Sequence, residues 1–380
     1  MELFAPAPSP SAPADDLRSL IALTLVPGVG PARVRALLAA FGTASTVLQM
    51  PARRLMAVEG VGPQTAKALA AFQDWDEVDR QLDAADRCGA WPLMLSDTRY
   101  PRLLAETYDP PPLLWVLGLM PEDDSRALAI VGTRRVSAYG RRAAERFGFD
   151  VARAGWTVVS GLAYGVDAAA HQAALDAGGR TVAVLGSGVD RIYPSRHTRL
   201  ARAIVDGGGA VLSEFPLGTK PDATNFPRRN RIVAGLSRGV LVAEAHTTGG
   251  ALITAHCALG QNREVFAVPA PLFGDVGQGA NGLIQQGAGL AESAEAILAV
   301  LEPQLGDAPS PATLPSVAPP LPVLTRAEQA VYDVLTGDPL HIDALSEAAG
   351  LETPNLLVTL LGLEFKGLVR QLAGKQFSRA

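Results

Sequence analysis

The chain has 380 residues, enough for two or three domains at roughly 150 residues each. It is 48% hydrophobic and 19% charged, which supplies buried cores and excludes a disordered chain. Its 33 Lys plus Arg against 38 Asp plus Glu leave a net charge of −5, which excludes a protein that coats nucleic acid by bulk positive charge but not one with a local basic groove.

Residues 1–14 are rich in Ala, Pro and Ser and read as a flexible arm. They contain neither a basic stretch nor an apolar run of the signal-peptide kind. No apolar run in the chain approaches the roughly 18 to 20 residues of a membrane span. The two cysteines, Cys88 and Cys257, are too few and too far apart for a disulfide scaffold or a cysteine-based metal site. These features predict a cytoplasmic protein with no membrane association, no metal and no cofactor.

Residues 15–90 carry helical periodicity, as at Leu17, Leu20, Ile21 and Leu25, then Val34, Leu37, Leu38 and Phe41. Two similar glycine turns interrupt it, Val26-Pro27-Gly28-Val29-Gly30 and Val58-Glu59-Gly60-Val61-Gly62, each followed by a proline that opens a helix. This is the pattern of paired helix-hairpin-helix units in a SAM-like domain. Such turns present backbone N–H groups to a phosphate, or serve only as tight turns in a protein-contact scaffold. With 8 cations and 10 anions in residues 1–90, the scaffold reading is favoured.

Residues 91–302 change period. Short β-branched runs at Leu113–Leu117, Ala127–Val131, Trp156–Val159, Thr181–Leu185, Ala210–Leu212, Val240–Val242 and Val265–Val268 alternate with helical stretches such as Gly140–Ala154, Val166–Ala177 and His197–Val205. Strands buried on both faces and alternating with helices predict an α/β fold, a Rossmann-like doubly wound parallel sheet. Small or polar residues recur where strands hand over to helices: Gly132-Thr133-Arg134-Arg135, Ser160-Gly161-Leu162-Ala163, Gly186-Ser187-Gly188 and Thr247-Thr248-Gly249-Gly250. In an open parallel sheet these positions border the ligand crevice, and several such loops together favour a phosphate-bearing ligand. A dinucleotide is rejected, because Arg191 stands where the fingerprint's third glycine belongs and Pro194 delays the helix.

Arginine makes up 29 of the 33 cations, and it bunches near the expected crevice. Seven arginines and two acids lie between Arg126 and Arg153, and four arginines with no acid between Arg191 and Arg202. The run Phe226-Pro227-Arg228-Arg229-Asn230-Arg231 sets an aromatic beside three guanidinium groups, the means by which single-stranded nucleic acid is held without sequence readout. Asp167 and His171 at helical spacing, and His256 beside Cys257, read as structural, since no nucleophile or metal motif accompanies them. The rival is a nucleotide or nucleoside-phosphate hydrolase using the same anion crevice, with Glu244 as its carboxylate.

Residues 303–322 form a Pro-rich linker. Residues 323–380 hold three helical patterns, at 325–335, 341–349 and 353–366, and a β-like ending at 368–377. That is the order of a winged helix. Five cations against seven anions in this segment predict a protein-contact role, because a phosphate-neutralising surface is basic.

The ordered motifs Ile130–Gly140, Val159–His171, Val184–Pro194, Leu212–Pro216, Phe226–Ser237, Gly249–Ala255 and Asn281–Ala288 together resemble the DNA processing protein A (DprA/Smf) family of bacterial natural transformation. The resemblance covers roughly Pro101 to Leu301 closely. It implies a Rossmann-like core without established catalysis that binds and protects single-stranded DNA, loads the RecA recombinase and works as a homodimer. It maps the family's G-T-R arginine onto Arg134, its glycine turn onto Ser160 and Gly161, and its R-N-R motif onto Arg229-Asn230-Arg231. Tyr164 departs from the family, where this position is often basic; a hydroxyl or stacking contact then replaces a phosphate contact.

Overall fold

A computed structural model describes residues 14–121, 123–271, 276–305, 324–335, 340–351, 353–366, 368–372 and 376–379. They fall into two compact units that divide between residues 306 and 307. The arm before Ala14 and most of the Pro-rich linker lie outside the described residues.

The first unit begins with helices α1 (Ala14–Leu25), α2 (Pro31–Phe41), α3 (Ala44–Gln49), α4 (Ala52–Leu55), α5 (Pro63–Ala70) and α6 (Trp75–Cys88). Gly30 and Gly62 cap α2 and α5, each with proline in the first turn, where the missing N–H costs nothing. Gly28 and Gly60 sit at φ +80° and +78°, a conformation that glycine adopts without steric cost. The Arg33 side chain donates to the carbonyl oxygens of both glycines, at 2.7 Å from Nε in the case of Gly60. The two turns are thereby tied side by side. Asp74 caps α6 by accepting from the Glu77 N–H at 3.2 Å, and Gly89 ends that helix in the left-handed region.

A nine-stranded sheet follows. Its strands are β1 (Ala90–Met94), β2 (Leu113–Gly118), β3 (Ala127–Gly132), β4 (Thr157–Ser160), β5 (Thr181–Val184), β6 (Ala210–Ser213), β7 (Gly239–Glu244), β8 (Glu264–Ala267) and β9 (Gly289–Leu290). Their spatial order is β1-β2-β6-β5-β4-β3-β7-β8-β9. The seven from β6 to β9 run parallel, while β1 and β2 are antiparallel additions at one side. All seven expected strands are present. The sequence pattern misses β1 and β9: β1 contains Pro92, tolerated because the strand lies at the edge, and β9 has two residues.

The connecting helices are α7 (Arg102–Ala105), α8 (Ala138–Arg153), α9 (Val166–Asp176), α10 (Thr198–Asp206), α11 (Asn225–Gly235), α12 (Gly250–Gly260), α13 (Gln278–Gln285) and α14 (Ala294–Leu301), with a 3-10 turn at Ser195–His197. Strand residues alternate between the two faces as the pleat requires. Leu128 and Ile130 of β3 pack with Phe147, Val151, Ala170 and Ile297 on one face. Ala129 and Val131 pack with Ile232, Val233, Ala255 and Leu283 on the other. The helical segment 15–90 shares its core with the sheet: Leu17, Leu37 and Leu69 belong to one buried cluster with Trp115, Ala183 and Val211. Gln81 stitches the two parts, accepting from the Leu217 N–H at 2.8 Å and donating to its carbonyl at 3.3 Å.

The second unit contains α15 (Arg326–Val334), α16 (Ile342–Ala349) and α17 (Thr353–Phe365), and a three-stranded sheet of β10 (Leu340–His341), β12 (Gln376–Arg379) and β11 (Val369–Leu372), in that spatial order. Its own core holds Val331, Leu345, Leu356, Leu360, Leu363 and Phe377. Thr325 and Glu328 form a reciprocal capping box at α15, and Glu328 also accepts from Lys366 at 2.7 Å. The short β10 adds a third strand to the expected pair and completes a winged-helix shape.

Candidate functional site

The parallel strand order reverses direction of travel at β3, whose neighbours are β4 on one side and β7 on the other. Ligands of open α/β sheets bind at such a switch point, beyond the strands' carboxyl ends. A cavity of about 590 Å³ opens there, lined by Gly132, Thr133, Gly161, Gly249 and Gly250 together with Arg134, Phe226, Arg229 and Asn230. Three of the four expected small-residue loops therefore converge.

The glycines allow the loops to close on one another. Gly165 takes φ +82° with ψ −122°, and a Cβ there would lie 2.2 Å from the Thr133 carbonyl oxygen. A Cβ on Gly132 would meet Val166 Cγ2 at 2.4 Å, and one on Gly161 would meet the Arg229 guanidinium at 2.5 Å. A side chain at Gly165 would need the backbone of the β3–α8 loop to move, and one at Gly132 or Gly161 would displace Val166 or the Arg229 guanidinium.

Arg229 is the buried strut of the site. Its guanidinium donates to the carbonyls of Gly161, at 2.7 Å, and Val184, so it joins the ends of β4 and β5. Burial lowers its pKa to about 10, which leaves it a cation at neutral pH. The Asp167 carboxylate accepts from the N–H groups of Gly161 at 3.1 Å and Ala163 at 3.2 Å. Burial raises the pKa of this carboxyl, opposed by the charge of Arg229. Asp167 and His171, four residues apart on α9, bond to different partners. His171 Nδ1 lies 2.6 Å from Thr181 Oγ1, and burial lowers its pKa to about 3, keeping it neutral.

Above this buried layer sit the exposed cations. Arg134 and Arg135 project from the β3–α8 loop into solvent beside the cavity, and neither forms an ion pair among the described residues. Arg134 lies with its guanidinium carbon 4.9 Å from the Phe226 ring centroid. Asn230 reaches the Gly250 carbonyl at 3.4 Å. Arg135, Asp167, His246 and Thr254 also line the cavity but were not among the expected site residues. For Arg135 the signal was its place in the same loop as Arg134.

Several expected members lie elsewhere. Gly186, Ser187 and Gly188 are buried and do not line the crevice. The Phe226 ring covers Gly186, the Ser187 carbonyl accepts from Ser213 Oγ at 2.6 Å, and the Gly188 N–H donates to the Thr219 carbonyl at 3.0 Å. Ser160 is also buried, its hydroxyl donating to the Ile130 carbonyl at 2.6 Å. Arg228 is exposed, 5.2 Å over the Phe215 ring and outside the cavity wall. Arg231 points away altogether. Its side chain, 13% exposed, pairs with Asp109 at 3.2 Å and with the Glu214 carboxylate, which is 4% exposed. Tyr164 lies at the rim, in a recess shared with Arg134, Gly161, Tyr193, Phe226 and Arg229.

Glu244, the carboxylate required by a hydrolase, is 2% exposed and faces the α8 N-terminus. It accepts from the backbone N–H and the hydroxyl of Ser137, at 2.8 and 2.5 Å, and Gly140 packs directly against it. A carboxylate so placed completes a helix cap. His256 Nδ1 contacts the Leu252 carbonyl at 2.6 Å on an exposed helix turn, and burial pushes the Cys257 thiol pKa up. Neither makes a nucleophile–base pair. Among the described residues no three His, Cys, Asp or Glu converge as a metal site, and no helix is long and apolar enough to cross a membrane.

Comparison with known proteins agrees with this architecture. The profile of the family described as DNA recombination-mediator protein A matches residues 91–302, a DprA winged-helix profile matches 315–375, and a SAM-like tandem helix-hairpin-helix profile matches 20–72. Protein Smf of Escherichia coli (strain K12) is 44% identical over 282 residues, which is 72% of this chain and 74% of its own length. DNA processing protein DprA of Bacillus subtilis (strain 168) is 42% identical over 226 residues, covering 59% of this chain and 76% of its own. The crystal structure of DprA from Streptococcus pneumoniae superposes with a TM-score of 0.65 at 32% identity, covering 74% of this chain and 97% of that one. DprA from Helicobacter pylori superposes with a TM-score of 0.50 at 26% identity, over 57% of this chain and 96% of its own. The motifs, the switch-point cavity and these matches agree: the chain belongs to the DNA recombination-mediator protein A, or DprA/Smf, family.

Proposed function

We propose that this protein binds single-stranded DNA in the switch-point crevice by its phosphate backbone, protects incoming DNA during natural transformation and helps load the RecA recombinase onto it. The contacts are Gly132, Thr133, Arg134, Gly161, Tyr164, Phe226, Asn230, Gly249 and Gly250, with Arg229 as the buried cation beneath them. The observation that carries this reading is the exposed Arg134, without an ion-pair partner among the described residues, set against Phe226 at the mouth of three glycine loops. Guanidinium and aromatic groups over a cradle of backbone amides match a phosphate–base chain without sequence readout. One relative supports it: the H. pylori DprA binds single-stranded DNA and its structure shares this fold.

The protein acts in the cytoplasm as a homodimer, without a cofactor and without catalysis. The capped position of Glu244 counts against the hydrolase alternative. The winged-helix unit serves protein contact, since Leu357 and Val358 of α17 are exposed where a DNA-reading helix would carry cations. The test is binding of oligothymidine against duplex of equal length across a salt series. Single strands bind more tightly, with a log–log slope of about −0.7 per phosphate neutralised. Equal affinity for duplex points to the helix-hairpin-helix turns as the main contact. RecA loading is tested separately, by filament formation on strands already coated with single-strand-binding protein. Release of free base from nucleoside monophosphates would establish the hydrolase instead.

A further inference from the structure

Two large aromatic side chains stand exposed at the rim of the crevice, Tyr164 and Tyr193, each 41% accessible. They come from different loops, Tyr164 from the turn between β4 and α9 and Tyr193 from the segment after β5. Both converge on one recess with Arg134, Gly161, Phe226 and Arg229, and among the described residues no acidic one lines it. Large aromatics of the core are buried, whereas these two reach solvent from separate loops beside the exposed Arg134. Neither hydroxyl hydrogen-bonds to the protein among the described residues, so the rings are not exposed merely to anchor a hydroxyl.

Each ring is held from behind. Tyr164 packs edge-to-face on His197, with centroids 4.9 Å apart and planes at 73°. His197 is itself fixed by Nδ1 at 2.8 Å from the Leu162 carbonyl. Tyr193 lies 5.8 Å from Phe226 at an interplanar angle of 35°, and Phe226 carries Arg134. Rings with orientation set before binding lose little entropy when a planar ligand stacks on them.

We propose that Tyr164 and Tyr193 form a base-stacking surface, so that the bound strand is held on this side of the crevice by its bases as well as by its phosphates. The inference rests on the crevice being the single-stranded DNA site, and it adds Tyr193 to that site. Stacking of this kind tolerates every base, because each presents a π face. The aromatic pair therefore adds affinity without sequence preference, and only for strands that carry bases.

The test compares oligothymidine with an abasic phosphodiester of equal length, using the full chain. The wild type binds oligothymidine more tightly than the abasic strand. In Tyr193→Ala and in Tyr164→Ala the ratio of the two affinities falls about five-fold or more, as expected for loss of one base–aromatic stack. Tyr193→Phe keeps the ratio, since the ring remains. Tyr193→Leu, which keeps apolar bulk but not the π face, loses it; this variant stands in if the alanine form melts below the wild type. An unchanged ratio in a folded leucine or alanine variant overturns the proposal, as does equal wild-type affinity for the two strands. In that last case salt-dependent binding to both leaves the crevice reading intact. Failure to bind either strand removes the crevice reading itself.

Discussion

The guanidinium of Arg134 lies 4.9 Å from the ring centroid of Phe226, and this pair joins a loop and a helix through residues 92 apart in the chain. It brings the β3–α8 loop to the start of α11. A cation over an aromatic face is oriented at little entropic cost, which leaves the N–H groups of Arg134 free for a phosphate.

Arg134→Ala accordingly weakens binding to unrelated single-stranded sequences alike and shallows the salt dependence by about 0.7 in log–log slope, one phosphate contact. Its thermal stability stays close to wild type, because the side chain is exposed and makes no ion pair among the described residues. A fluorescence titration over several salt concentrations checks this, and an unchanged slope would remove Arg134 from the backbone contacts.

Arg231→Ala acts on stability instead. It leaves the Glu214 carboxylate, 4% exposed, without its partner, and breaking a buried pair from one side costs about 3–5 kcal/mol. The urea midpoint drops by a corresponding amount. Pairing Arg231→Met with Glu214→Leu recovers much of it, because no buried charge is left uncompensated. A midpoint that Arg231→Ala does not move would contradict the burial of this pair.

His171 sets a pH dependence of folding. Its pKa falls from 6.5 in the unfolded chain to about 3 in the folded one, through burial. The unfolded state therefore binds the extra proton between those values. Stability is unaffected by this group above about pH 6.5 and declines as pH falls below it. Melting curves between about pH 7 and pH 5 show this decline in the wild type. A folded His171→Leu variant shows a flatter profile over the same range; parallel profiles would assign the decline to other groups.

Gly165→Ala is destabilising by about 1–3 kcal/mol, the usual cost of a side chain in a glycine-only conformation. The added Cβ also meets the Thr133 carbonyl oxygen, so the β3–α8 loop must move and DNA affinity falls with stability. Gly250, where a Cβ would meet nothing within 4 Å, accepts alanine with little change in melting temperature. Equal effects at the two positions would show that loop packing does not discriminate them.

The sequence by itself determined the alternation of buried strands and helices, hence the parallel sheet, and placed small residues at the strand ends. These are local properties of period and residue size. It also located the arginine-rich run at Phe226–Arg231. Only the tertiary structure decided what each member of that run does. Successive helix residues point about 100° apart at 3.6 residues per turn. Arg228 consequently lies over Phe215, Arg229 turns inward to the strand ends, Asn230 faces Gly250 and Arg231 meets Glu214 and Asp109. The Gly186–Gly188 loop resembles the others in sequence, but Phe226 and the segment after β6 cover it. Tyr193 lies within the Val184–Pro194 motif, but nothing in the chain marked it as a site residue, since its place beside Tyr164 and Phe226 depends on loops that only the folded sheet brings together. The net charge of −5 sums over the whole chain, whereas a binding site depends on which cations remain unpaired and exposed, and that is a property of packing.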